Sequence, residues 1–128
     1  MLFRSPTFSS DAAEGWRQAL ASSASLENVE VILAALSIEG RFDAIVTAED
    51  VSRGKPDPEV FLVAAAKVST PPTRCVVIED SAAGIEAARR AGMPTVGVLS
   101  SHASLEADLT VSTLDELEED AFDRLFTS

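Results

Sequence analysis

The chain has little of several things that define whole classes of protein. It holds one cysteine, Cys75, so it carries no intrachain disulfide framework and fits a reducing compartment. No apolar run is long enough to cross a bilayer, and the N-terminus lacks a charged and then apolar leader pattern, so we expect a cytoplasmic protein. The sequence has ten Lys and Arg residues against 21 Asp and Glu residues, which gives a formal net charge of −11, and the basic residues form no cluster along the chain. This balance argues against nucleic acids and anionic membranes as partners.

The composition is that of a folded chain. Hydrophobic residues make up 46% of the sequence, which indicates a globular protein and not a disordered one. With 128 residues and no linker, long repeat or low-complexity tract, the chain is predicted to form one domain over residues 1–128. Cys75 lies within an apolar strand pattern and is expected to be a small core residue.

Short apolar strands alternate with helical patterns along the chain. The predicted strands span residues 18–21, 44–47, 75–78, 95–99 and 109–111. Helices are predicted to begin at Ser25, at Asp57 with Pro58 in the first helical position, at Ser81, and at Thr113 for an acidic terminal helix. This alternation predicts an α/β fold with a doubly wound parallel sheet and helices on both faces.

Polar side chains follow three of these strands. Ser22 and Ser23 come after the first strand, where hydroxyls and free N–H groups can bind an anion, although serines at helix starts are more often only caps. Lys55 stands on a proline-stiffened loop after the second strand, where a lysine can stabilise a phosphate or a carboxylate, although a lone lysine is by default a surface charge. Glu79 and Asp80 follow the third strand and suit Mg²⁺.

The acid pair also has a simpler interpretation as a helix cap, which explains one of the acids but not two. Because the carboxyl ends of parallel strands meet at one edge of a sheet, we expect the three polar sites to converge there. A hydroxyl, a fixed cation and a metal-binding acid pair are suited to phosphoryl transfer.

The chain resembles the haloacid dehalogenase superfamily, in particular its β-phosphoglucomutase-like and phosphoglycolate phosphatase-like branch, over about residues 14–117. The segments that carry the resemblance are ALASSAS at 19–25, FDAIV at 42–46, GKPDPEVF at 54–61 and VIEDSAAGI at 77–85. The resemblance implies a core that binds a small phosphorylated metabolite or inorganic phosphate together with Mg²⁺.

The resemblance also implies roles for individual residues. Ser22 matches the second-motif hydroxyl of the family, assisted by the N–H group of Ser23, and Lys55 matches the third-motif lysine that screens the transferred phosphate. Glu79 and Asp80 match the metal-binding acids of the fourth motif, and of the two the resemblance favours Asp80 as a direct Mg²⁺ ligand.

One part of the family pattern is absent from this sequence. Members use an aspartate nucleophile in an Asp-x-Asp motif on the central strand, and a cap domain usually follows that motif. The residues before Ser22 contain one aspartate, Asp11, with no acidic partner at that spacing. We therefore expect the chain to be inactive by itself, because aspartyl-phosphate chemistry needs that carboxylate.

Three hypotheses stay open at this point. The chain is the C-terminal piece of a phosphatase or phosphomutase, a phosphate-binding pseudoenzyme, or a self-associating interaction domain. A sheet without its central strand needs a replacement, because unpaired backbone groups are costly when buried. The candidates are the apolar start at residues 1–3, direct pairing of the flanking strands, or another chain in a homodimer, which is slightly preferred.

Overall fold

The computed structural model describes residues 2–6, 16–38, 40–99 and 106–112, with side chains described from residue 17 onward. The strands are β1 (Leu2–Pro6), β2 (Trp16–Ala21), β3 (Ala44–Val46), β4 (Val76–Glu79), β5 (Thr95–Val98) and β6 (Leu109–Val111). The α-helices are α1 (Leu26–Ala35), α2 (Glu59–Lys67) and α3 (Ala82–Arg90), and short 3₁₀ turns cover Ala48–Asp50 and Pro72–Arg74. The predicted terminal helix from Thr113 lies outside the described residues. No helix in the described ranges has both the length and the apolar character to cross a membrane.

The strands form one six-stranded sheet in the order β3-β2-β1-β4-β5-β6. The pairs β2–β3, β4–β5 and β5–β6 are parallel. The connection through α1 moves in one direction along the sheet, and those through α2 and α3 move in the other. Right-handed crossovers therefore place α1 on the face opposite to α2 and α3, which contact each other. The predicted doubly wound α/β fold is confirmed.

The centre of the sheet departs from the predicted parallel arrangement. Strand β1 lies between β2 and β4 and runs antiparallel to both, with Leu2 opposite Leu20 and Ile78. The N-terminal residues thus occupy the central position of the sheet, between β2 and β4, where the expected central strand is missing. We call this position the seam. The predicted parallel sheet therefore contains one antiparallel strand, at the position where the central strand was expected to be missing or replaced, because backbone groups can be paired by a strand of either direction.

The main core lies between the sheet and the pair α2 and α3. It joins the buried residues Ala19 and Val46 of the sheet to Phe61 of α2 and Ala88 of α3. Cys75 is fully buried in this core, and burial raises the pKa of its thiol to about 12, so it is the inert core residue that was expected. A second, smaller cluster consists of Ile78 from β4, Val96 from β5 and Val111 from β6.

Most helix ends follow the local sequence signals. Ser25 and Ser81 are N-caps whose hydroxyls accept the N–H groups of Asn28 and Gly84, and Gly92 ends α3 with a φ of +79°. Helix α2 begins one residue later than predicted, with Pro58 and not Asp57 in the N-cap position. The Asp57 carboxylate nevertheless accepts the Glu59 N–H at 3.0 Å, which is the hydrogen bond that a capping side chain makes.

Candidate active site

Strand β2 delivers Ser22 and Ser23 to the edge of the sheet. The Ser22 N–H donates to the carbonyl oxygen of Val46 at 2.9 Å, which continues the β2–β3 pairing past the end of the strand. Its hydroxyl oxygen accepts the N–H of Ala24 at 3.1 Å. Because that contact uses only a lone pair, the hydroxyl proton remains able to donate to an anion.

The loop before α2 carries Lys55. The Glu59 carboxylate fixes this loop by accepting the N–H groups of Ser52 and Arg53 at 2.8 and 3.1 Å. The Asp57 N–H closes the loop onto the Gly54 carbonyl at 3.0 Å, and the Lys55–Pro56 peptide is cis. Sequence reasoning missed Glu59, whose position at the start of a helix is typical of an ordinary dipole-stabilising acid.

The structure brings Ser22, Ser23 and Lys55 together around one cavity of about 130 Å³. This is smaller than the roughly 300–1,000 Å³ of a pocket that encloses a whole ligand. The cavity therefore suits a small group such as a phosphate, with the rest of any larger ligand outside it. Its lining residues are Ser22, Ser23, Ala48, Val51, Ser52, Gly54, Lys55 and Val60.

The two acids after β4 have different surroundings. The Glu79 side chain is 4% exposed, and its Oε2 atom lies 3.0 Å from the Lys55 Nζ atom. Its Oε1 atom accepts the Asp80 N–H at 3.1 Å and the Ser81 hydroxyl at 3.2 Å. Asp80, by contrast, is exposed. The predicted lysine is thus paired with one of the two predicted metal-binding acids.

A magnesium ion would find a partial set of donors here. Within the described parts of the chain, no group of three His, Cys, Asp or Glu side chains is arranged to hold a metal ion. Asp80 nevertheless fits the minimal requirement, because Mg²⁺ is often held by one or two carboxylates and substrate phosphate while it keeps several waters. Since β2 and β4 both run opposite to β1, their carboxyl ends, and so Asp80 and Ser22, lie at the same edge of the sheet.

A second polar network supports the same edge from β3. The Glu49 carboxylate accepts the Thr47 hydroxyl at 2.8 Å and the Leu26 N–H at 2.9 Å, and so connects the turn after β3 to the start of α1. The hydrogen bond from Thr47, followed by that from Leu26, lowers the pKa of Glu49. Sequence reasoning missed this link, because Glu49 and Leu26 are far apart along the chain.

Comparison with known proteins places the chain in a family. The profile of the haloacid dehalogenase-like hydrolases matches residues 9–98, and the chain belongs to this family. A β-phosphoglucomutase of Bacillus subtilis is 45% identical over 98 residues, which are 77% of this chain and 42% of that protein. A fructose-1-phosphate phosphatase of Escherichia coli is 48% identical over 69 residues, which are 54% of this chain and 37% of that protein.

The solved structures agree with this assignment. CbbY from Rhodobacter sphaeroides, determined in complex with phosphate, superposes with a TM-score of 0.80 at 30% sequence identity, over 87% of this chain and 53% of that one. The resemblance inferred from the motifs is therefore confirmed. The chain spans about half the length, or less, of the relatives it matches.

Proposed function

We propose that the chain is the phosphate-binding portion of a phosphatase or phosphomutase core that acts on a small phosphorylated metabolite. The observation that carries this proposal is the convergence of Ser22, Ser23 and Lys55 on one phosphate-sized cavity. Relatives named for action on phosphorylated sugars, and one solved with phosphate, support it. We further propose that residues 1–128 form one domain of the family core; the cytoplasmic location stays a prediction.

The proposed roles of Ser22, Ser23 and Lys55 follow from the hydrogen-bond donors and the positive charge that they offer to a phosphate. The Ser22 hydroxyl and the Ser23 N–H donate to phosphate oxygens at the end of β2. The Lys55 ammonium lies 3.5 Å from the Ala21 carbonyl oxygen, beside Ser22, and offsets the negative charge of the phosphate. Fixed donors of this kind need little reorganisation when the anion binds, which favours phosphate over less charged ligands.

Magnesium is the cofactor that this edge of the sheet would accept. Asp80 would hold it, together with oxygen atoms of the bound phosphate, and the ion would offset the charge on that phosphate. With one exposed carboxylate as the protein ligand, we expect the ion to bind weakly until phosphate is present.

Phosphate binding is the direct test. Inorganic phosphate titrated into the protein, followed by calorimetry, should bind at one site, and Ser22→Ala should weaken it about tenfold or more, since a hydrogen bond to a charged group is worth about 1.5–3 kcal/mol. Thr73→Ala is the matched control, because Thr73 is exposed and precedes β4 at the opposite edge of the sheet. Equal binding in the wild type and Ser22→Ala would contradict the proposed site.

Turnover is expected to be absent. Strand β1 occupies the central position of the sheet but contains no aspartate, so no nucleophile for aspartyl-phosphate chemistry follows from it. With a generic aryl phosphate and Mg²⁺, the chain should release no more product than Lys55→Ala. Turnover that disappears in Lys55→Ala would overturn this expectation and require another nucleophile.

One observation favours an alternative, the self-associating domain. Residues 2–6, which fill the seam, lie outside the segment that matches the family, and they pair antiparallel with both neighbours. A short strand of this kind can be exchanged between two copies, which would give a homodimer. Sedimentation distinguishes this alternative, as argued below.

A further inference from the structure

The acid Glu79 is enclosed by groups that fix its position. Its carboxylate receives three donors: the Lys55 ammonium on Oε2, and the Asp80 N–H and Ser81 hydroxyl on Oε1. A carboxylate offers about four lone-pair sites, so three are already used. The Ser81 hydroxyl in turn accepts the Gly84 N–H at 3.0 Å, which ties the carboxylate to the first turn of α3.

Gly84 provides the room for this arrangement. A Cβ atom at position 84 would lie 2.1 Å from the Cδ atom of Glu79 and 2.2 Å from its Oε2 atom. The side chain of Glu79 therefore lies directly against the backbone of α3. Such close approach requires glycine, and it holds the Oε2 atom toward Lys55.

Lys55 depends on these contacts for its place beside Ser22. Its side chain is 11% exposed, and among the described residues its Nζ atom lies near three groups: Glu79, the Ala21 carbonyl oxygen and the Phe61 ring, whose centroid is 5.3 Å away. The carboxylate is the only full negative charge among these three. The lone-pair site left on this carboxylate is on Oε2, beside the ammonium, so a metal ion bound there would be repelled by Lys55 unless it displaced the ammonium.

We infer that Glu79 is the positioning residue of Lys55 and not a metal ligand, so that metal binding is left to Asp80. This rests on the proposed function in one respect, since Lys55 matters because it faces the phosphate cavity. It reassigns Glu79, which the sequence grouped with Asp80 as a magnesium ligand.

The nitrogen-resolved NMR signal of the Lys55 ammonium tests the pairing without reference to activity. A buried, hydrogen-bonded ammonium exchanges its protons slowly and gives an observable signal. We expect this signal in the wild type and in Asp80→Asn, and we expect it to broaden beyond detection in Glu79→Gln. A signal that persists in a folded Glu79→Gln variant would overturn the inference.

A double variant without a change in net charge tests the metal assignment. It can also be measured if Glu79→Gln alone does not fold because Lys55 is left unpaired. Lys55→Met combined with Glu79→Gln removes both charges and leaves the local net charge unchanged. Phosphate is left out, because Lys55→Met would itself weaken phosphate binding, and the weak binding that remains is followed to high Mn²⁺ concentration by electron paramagnetic resonance. The Mn²⁺ affinity measured in this way should stay close to the wild-type value in the double variant. In Asp80→Asn it should fall about tenfold or more. A comparable fall in the double variant would make Glu79 a ligand and overturn the inference.

The two proposals fail in different ways. If the wild type bound no inorganic phosphate, the proposed function would fail. The ammonium signal would still show whether Glu79 holds Lys55.

Discussion

At the scale of single residues, Gly84 is the position where the backbone of α3 lies directly against the Glu79 carboxylate. The motif that contains it shows only that a small residue follows the serine cap by three positions. The sequence could not reveal the reason, because the contact is between two elements: a Cβ atom added at position 84 would lie 2.1 Å from the carboxylate carbon of Glu79, at the end of the preceding strand. In the same way, the sequence grouped Glu79 with Asp80 by adjacency, whereas the structure separates them by burial.

Gly84→Ala should destabilise the protein, against the usual trend for a helix. In a helix interior alanine is favoured over glycine by about 1 kcal/mol. Here the added methyl group would collide with Glu79, and overpacking of this kind costs about 1–3 kcal/mol. Urea unfolding should therefore show a lower free energy of unfolding for Gly84→Ala.

Gly54→Ala is the control for this prediction. A Cβ atom at Gly54 meets nothing within 4 Å, and Gly54 is not among the glycines with positive φ, so the change should be neutral or slightly stabilising. If Gly84→Ala proved as stable as Gly54→Ala, the close approach of Glu79 to α3 would be wrong.

At the scale of elements, most of the described strands and helices could be predicted from the sequence. The apolar runs gave β2 to β6 and the serine caps gave α1 and α3, because these signals are local. The antiparallel direction of β1 could not be predicted, because five residues carry no signal for parallel or antiparallel pairing. That direction depends on the pairing with β2 and β4. The convergence of Ser22 and Lys55 could be predicted, because it follows from strand direction alone. The pairing of Lys55 with Glu79 depends on side-chain packing and could not.

The link between β3 and α1 should make stability depend on pH. The pKa of Glu49 is lowered from its ordinary value of 4.5, chiefly by the Thr47 hydroxyl. A lowered carboxyl pKa contributes stability that is present above pH 4.5 and is lost as the pH falls through the folded-state value. The difference in unfolding free energy between wild type and Glu49→Gln should therefore be largest above pH 5 and shrink at lower pH.

Thermal unfolding followed by circular dichroism from about pH 3 to 7 covers the range over which this linkage acts. Glu30→Gln, which removes an exposed carboxylate from α1, is the charge-matched control. A Glu49→Gln curve that runs parallel to the wild-type curve over the whole range would show that the link to Leu26 and Thr47 contributes no stability.

At the scale of the whole molecule, the seam at the centre of the sheet decides the state of assembly. The sequence alone slightly favours a homodimer, because it provides no certain strand to lie between β2 and β4. Strand β1 supplies that strand from within the chain and pairs five residues with β2 and three with β4. The reason for a second copy is thereby removed, and the net charge of −11 opposes nonspecific association.

We therefore expect the chain to sediment as a monomer at low micromolar concentration and moderate salt. A variant that lacks residues 1–6 should behave differently, because it exposes the facing edges of β2 and β4, and each buried backbone group left unpaired costs about 1–3 kcal/mol. It should lose much of its stability in urea and associate as its concentration rises. A wild-type dimer that persists on dilution would instead support exchange of β1 between copies, and a stable monomer without residues 1–6 would show that β1 does not hold the sheet together.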